Sequence, residues 1–329
     1  MKDSLFLIAR KLTLVMVVIF GLASIIAKIP PGPVGPIWQN VALDKGGRAM
    51  WGTAANDIWL VGSKDSMYHW DGSSWSSVAV STGALNSMEA VWGSSADDYW
   101  AGGDITGAIL HWDGTSWTSV PTPDLFPISD YRNFAILDIW GSSSNDVWAV
   151  GDLSKILHWD GSSWTGFDLG QIDSSLYSVG VFGVWGSSSN DVWMVGSNAT
   201  ILHWDGSSLS NVPNGTSSKS LLTDVWGASS SDVWAVGNFG IMLHWDGSSW
   251  SEVPGRTDFF EAVWGSSSND VWAVGRGTDM KIFHWDGSSW NPEHNPANPR
   301  FLYTLWGSAA GDVWAAGGDV IIRYGYYQP

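Results

Sequence analysis

The chain of 329 residues contains no cysteine. That absence excludes thiol catalysis, iron–sulfur clusters, cysteine-ligated zinc, disulfides and a lipid anchor on cysteine. Charge is scarce as well, since Asp, Glu, Lys and Arg together make only 14%. The 15 basic residues are scattered and form no stripe, which speaks against a nucleic-acid partner. Nucleophile-elbow, phosphate-loop and His-Glu-x-x-His patterns are missing too. What is plentiful is apolar or small: 44% hydrophobic residues, with 26 Trp and 39 Gly. Such a composition packs rather than stays disordered.

The formal net charge of -17 suggests a partner of opposite sign until the acidic residues are placed. Thirteen of the 32 fall on two repeated turn positions, Asp57, Asp98, Asp146, Asp191, Asp232, Asp270 and Asp312 in one and Asp71, Asp113, Asp160, Asp205, Asp246 and Asp286 in the other. The remaining 19 acidic residues nearly balance the 15 basic ones, so most of the acidity is architectural.

Residues 12–27 form an uncharged, mostly apolar run behind Lys2, Arg10 and Lys11, the charge order of an export signal. As a helix the run would span about 24 Å against a ~30 Å hydrocarbon layer, and Lys28 can snorkel to extend it. No clean small-x-small cleavage site follows. The expectation is a hydrophobic amino-terminal helix in residues 1–29 that anchors the chain in the cytoplasmic membrane through residues 12–29, with a cleaved signal as the alternative. Residues 30–36, rich in Pro and Gly, form a stiff spacer of about 20 Å. The rest of the chain is then expected outside, on the periplasmic or extracellular face.

From Trp51 onward one unit recurs. Its leading Trp stands at 51, 92, 140, 185, 226, 264 and 306. Each copy has four short β-prone runs separated by Gly, Ser, Asn and Asp, which reads as a four-stranded antiparallel meander. The second run, as in Asp191-Val192-Trp193-Met194-Val195-Gly196, is apolar on both faces and must be covered on both sides. Radially stacked sheets give that cover, so the fold expected for residues 37–329 is an all-β, seven-bladed β-propeller. The seventh copy stops before a fourth strand. Ile37-Trp38-Gln39-Asn40-Val41 carries the Trp-x-x-Val pattern of the other fourth strands and is expected to close the last blade.

The unit Val-Trp-Gly, Asn-Asp-Val-Trp-Ala-Val-Gly, Leu-His-Trp-Asp-Gly-Ser-Ser-Trp resembles the tryptophan-rich propeller repeats of large bacterial secreted proteins. It is broadly similar to Asp-box, sialidase-like propellers and to photosystem assembly-factor propellers. The resemblance spans residues 37–325 and implies architecture rather than activity. Asp160 and Gly161 are contiguous, whereas an Asp-box separates them, and no family site transfers.

Repeated residues read as scaffold. The tryptophans at regular strand positions fill the wedge between blades, and exposed ones would instead stack on sugars. His69, His111, His158, His203, His244 and His284 lie one per blade and cannot converge on an ion. Asp before Gly suits tight turns, and the Asp that enters each second strand is expected to bond neighbouring amides. Calcium would need alternate-position oxygen ligands on one loop, which no loop supplies. No metal or cofactor is expected. Sialidase-like chemistry would gather several arginines, but Arg48, Arg132, Arg256, Arg276, Arg300 and Arg323 share no repeat position.

Loops between second and third strands, and between blades, vary from copy to copy, and in a meander they emerge at one end. That end is the expected recognition face. It offers Phe126, Tyr131, Arg132, Tyr177, Phe239, Phe259, Phe260, Arg276 and Arg300, the aromatic and Arg anchors usual in protein interfaces. The expected function is a non-catalytic accessory or assembly subunit that docks on a membrane or envelope protein complex. A glycan-binding lectin is the alternative, and a glycosidase stands behind both.

Overall fold

Seven four-stranded sheets arise from the seven sequence copies. The computed structural model describes residues 35–42, 44–62, 67–80, 87–103, 107–123, 135–254, 256–277, 282–294, 296 and 301–326. Blades 1 to 7 span residues 49–77, 88–120, 136–167, 181–211, 222–252, 259–293 and 302–325. Within each, successive strands pair antiparallel, as in blade 3, where Trp140 faces Trp148, His158 faces Trp148, and Trp159 faces Trp164. Seven sheets of this kind make a seven-bladed all-β propeller.

Strand Ile37–Ala42 lies beside Ile321–Gly325 as the outer strand of the seventh sheet. Gln39 Nε2 donates to the carbonyl of Gly325 at 3.3 Å. The anchor and spacer expected in residues 1–34 lie outside the described residues. By its internal contacts the chain separates into Trp38–Gly325 and a remainder, Met1–Ile37 with Tyr326–Pro329. Among the described residues no helix is long and apolar enough to cross a membrane.

The second strands form the core because their apolar residues point both ways and neighbouring blades cover both faces. Their Trp rings, Trp59, Trp100, Trp148, Trp193, Trp234, Trp272 and Trp314, are all buried. Each reaches into the next blade. Trp100 meets Trp164 edge-on at 5.3 Å, Trp234 meets Trp290 at 5.2 Å, and Trp314 of blade 7 meets Trp75 of blade 1 at 5.8 Å. Trp38 takes the same place against Trp272 of blade 6, at 5.5 Å and 84°. Edge-to-face pairs of this kind add to plain area burial.

Inner-strand tryptophans lock neighbouring blades differently. In six of the seven the ring lies over the glycine that follows the inner Trp of the next blade, while Trp51 donates its Nε1 to the carbonyl of Gly93 at 2.9 Å. A Cβ on Gly227 would sit 2.5 Å from Cη2 of Trp185, and one on Gly307 would sit 2.5 Å from Cη2 of Trp264. The repeated Trp-Gly pair is therefore a ring from one blade resting on bare backbone of the next.

The two repeated Asp positions do different work. Asp71, Asp113, Asp160, Asp205, Asp246 and Asp286 accept amide bonds from the second and third residues after them, as Asp160 Oδ1 does from Ser162 N at 2.8 Å and Ser163 N at 2.9 Å. Glycine follows each at positive φ, for example Gly161 at 90°, where a side chain would be strained. The Asp entering each second strand, expected to bond amides, instead accepts from the third-strand histidine. His69, His111, His158, His203, His244 and His284 lie 2.5 to 2.7 Å from Asp57, Asp98, Asp146, Asp191, Asp232 and Asp270. Blade 7 substitutes Arg323, whose Nε is 2.5 Å from Asp312. The histidine stands on the neighbouring strand, so its partner is decided by sheet pairing and not by local sequence.

Candidate functional site

The end of the ring that carries the variable loops opens into a cavity of about 140 Å³ lined by the inner strands of all seven blades. Its rim has a simple origin. In six inner strands a β-bulge falls three residues before the Trp, at Glu89, Leu137, Phe182, Thr223, Glu261 and Tyr303. A bulge re-aims its extra side chain, and these six line the cavity. Arg48 holds the corresponding place in blade 1 and completes the circle.

Rim charges are spent on one another. Arg48 Nε lies 3.7 Å from Glu89 Oε2, and its guanidinium sits 4.5 Å from the Tyr303 ring centre. Arg276 Nε lies 2.7 Å from Glu261 Oε1. Burial pushes the Glu261 carboxyl above its ordinary value, and Arg276 and Arg48 offset part of that rise.

Outside the rim stands an aromatic pair. Phe239, in the turn Asn238–Gly240 of blade 5, is 69% exposed and meets Phe259 of blade 6 at 4.8 Å. Arg276 pairs with Phe259 across the sheet and places its guanidinium 5.9 Å from that ring. Phe239 has φ 58° and ψ 30°, the left-handed region, which is uncommon for a bulky side chain. The matching turn in blade 4 puts Asn198 at φ 58° and ψ 28°, and Asn tolerates that conformation. Strain of this kind is an observation that points toward function.

Other expected face residues are distributed differently. Tyr177 is 67% exposed between blades 3 and 4, beside the short helix Leu169–Ile172 and apart in sequence from the blade 5–6 pair. That helix begins at Asp168, which caps it by accepting from Gly170 N at 2.9 Å, and sequence alone showed only a loop there. Phe260 is a correction: it is 1% exposed and packs on Phe283 at 5.6 Å in the core. Strand alternation sends Phe259 out and its neighbour in. Phe126, Tyr131, Arg132 and Arg300 lie outside the described residues.

Two further residues carry no sequence signature. Asp138 and Asp224, two positions before the inner Trp of blades 3 and 5, line the cavity. Asp138 Oδ1 accepts from Ile139 N at 2.9 Å, and its Oδ2 accepts from Val184 N of blade 4 at 2.8 Å. Asp224 does the same with Val225 N and, across to blade 6, Val263 N, both at 2.8 Å. Each keeps some surface on the channel yet is enclosed by the ring. Burial raises both carboxyls: Asp224 to about 7, and Asp138 well above the ordinary range, with the nearby charge of Asp224 adding to the rise. A comparison of the seven copies at that position, which reads Ala, Ala, Asp, Gly, Asp, Ala, Thr, would have exposed them.

At the opposite end the groups are closed on themselves. Ser142 Oγ and His158 Nε2 both bond Asp146, at 2.5 Å each. Asp is the bridge, so the His does not stand between hydroxyl and carboxylate as nucleophilic catalysis requires. Among the described residues no group of three His, Asp or Glu could hold a metal ion. The second-strand indoles are buried between blades and are not available to stack on sugars.

No protein family matches the chain, and no curated protein does. Solved structures do. YCF48 bound to D1 peptide superposes with a TM-score of 0.68 at 16% identity, over 91% of this chain and 100% of that one. Virginiamycin B lyase from Staphylococcus aureus gives 0.73 at 15% identity, over 89% and 100%. The WD40 β-propeller domain of Doa1 gives 0.68 at 14% identity, over 90% and 98%. At such identities the likeness is one of fold.

Proposed function

We propose that this chain is a non-catalytic propeller that docks a partner protein on the end of the ring bearing the variable loops. The observation that carries this reading is Phe239, a bulky ring held in left-handed backbone, largely exposed and stacked on Phe259 beside Arg276. Rim charges are paired with one another, which leaves aromatic surface as the outward-facing chemistry there, and aromatic anchors are what protein interfaces use. YCF48 bound to D1 peptide supports the reading, as a propeller of like fold that takes a peptide. Virginiamycin B lyase shows that the same fold also hosts an enzyme.

Two further elements belong to this proposal. Strand Ile37–Ala42 acts as the latch of the ring, supported by its place beside Ile321–Gly325 and by Trp38 against Trp272. The apolar run at residues 12–27 exports the chain and holds it at the membrane, supported by Lys2, Arg10 and Lys11 before it. The partner is then an envelope or membrane protein.

A photo-crosslinking residue at Phe239, in full-length protein produced in its native cells, tests the docking. One discrete adduct is expected from position 239, none from Ser248 in the opposite turn, and loss of the adduct on Arg276→Ala. No adduct at 239, or equal labelling from both ends, overturns the proposal.

A further inference from the structure

At three blade boundaries an inner-strand side chain bonds a backbone amide of the next blade. Asp138 does so from blade 3 to 4, Asp224 from blade 5 to 6, and Thr304 from blade 7 to 1, its Oγ1 accepting from Met50 N at 3.0 Å. All three stand two residues before an inner Trp. Ala49, Ala90, Gly183 and Ala262 fill that place elsewhere and have no acceptor to offer. The same mechanical task is thus done once by a neutral hydroxyl and twice by an ionisable carboxyl.

The two carboxyls face one channel, and their hydrogen-bond partners are amides. The charged side chains that share the channel lining are Arg48, Glu89 and Glu261, with the Tyr303 phenol as the other titratable group. Arg48 is committed to Glu89, and Glu261 to Arg276. Two like charges enclosed together without a counter-cation favour uptake of a proton, the amide bonds notwithstanding.

We propose that Asp138 and Asp224 form a proton-responsive pair that ties the grip between blades to pH in the neutral range, the protonated ring being the more stable. A proton on one carboxyl relieves burial and mutual repulsion together. The acid keeps one oxygen accepting and turns its O–H toward the channel. Burial lifts both groups above their unfolded values, Asp224 to about 7. The folded chain therefore holds more protons than the unfolded one between the ordinary carboxylate value and neutrality. Stability from this source is complete below that ordinary value and is lost as pH rises through about 7.

The test uses full-length protein. Thermal midpoints between pH 5 and 9 should fall as pH rises, and the fall should vanish in Asp138→Thr/Asp224→Thr, which copies the clip of Thr304. Should that variant fail to fold, carboxyl-carbon NMR of the unaltered chain decides. Two Asp resonances are expected to titrate above the ordinary carboxylate range, Asp224 at about 7. The proposal is overturned if every Asp carboxyl titrates in the ordinary acid range, or if a folded double variant keeps the full fall.

Discussion

His158 lies face to face with Trp148 across two neighbouring strands, ring centres 4.2 Å apart and planes 21° from parallel. Its Nε2 reaches Asp146 Oδ1 at 2.5 Å. One side chain therefore packs the core and satisfies a half-buried carboxylate, and it does so where the second and third strands must stay in register. Five other blades repeat it, as Trp272 and His284 do at 3.9 Å. Blade 7 keeps the logic with a cation over the ring, Arg323 lying 4.7 Å from the Trp314 centre.

His158→Ala should cost roughly 1–3 kcal/mol, since it strands the Asp146 carboxylate and removes a stacked ring. His203→Ala should cost about the same, because its partners are equivalent: Asp191 at 2.6 Å and Trp193 at 4.1 Å. Urea midpoints of the two variants check both the size and the equality.

Acid should unfold the ring only well below the ordinary carboxylate range. Burial pushes Asp57, Asp98, Asp146, Asp191 and Asp270 up, but bonds from histidine and nearby side chains outweigh it and leave all five below 3.8. Turn aspartates Asp71, Asp113, Asp160 and Asp246 are held at about 2 by Ser or Thr hydroxyls and by backbone amides. Groups lowered on folding stabilise the fold above their unfolded value, and that contribution is lost as pH falls through the folded one. Tryptophan fluorescence should therefore keep its native position at about pH 4 and lose it toward about pH 2.

Gly227→Ala should destabilise by about 1–3 kcal/mol, the range for overpacking, because its Cβ would press on the Trp185 ring at 2.5 Å. Gly311 is the control: nothing lies within 4 Å of its Cβ. Gly311→Ala should be neutral or gain up to about 1 kcal/mol from a less flexible unfolded chain. Denaturant titration of both variants distinguishes a packing effect from a general intolerance of change.

Trp38→Ala should cost about 3–5 kcal/mol, as for a fully packed indole, because Trp38 is buried against Trp272 and Tyr324. Its exposed neighbour Ile37, replaced by Ala, should stay within about 0.5 kcal/mol. Similar costs for the two would remove the latch.

Phe239→Asn should trade binding for stability. Asn suits the left-handed turn, as Asn198 does in blade 4, so the variant should gain up to about 1 kcal/mol. It should also lose partner capture. A gain in melting temperature with capture intact would show that Phe239 is a packing residue after all.

Much of the scaffold was legible because each level of the sequence agrees with the next. Doubly apolar second strands required cover on both faces, and Asp-Gly turns punctuated six of the seven copies. The rim was not legible. Arg48, Glu89, Leu137, Phe182, Thr223, Glu261 and Tyr303 share only their distance from a Trp, and no common chemistry marks them. The bulges that aim six of them are invisible to a period-two pattern. Phe260 misled because two adjacent aromatics look alike until alternation assigns one to the core. Asp138 and Asp224 escaped because attention to what the copies share passes over the place where two of them differ.

The bond between Gln39 and the carbonyl of Gly325 joins residues 286 positions apart. Translation supplies Gln39 before the other six sheets and Gly325 after them, and domains otherwise consolidate from the amino end as they emerge. Trp38 must therefore wait, wet and unpartnered, while six sheets assemble behind it. A ribosome that stalls late would release a chain that holds nearly all its blades and still lacks the seam.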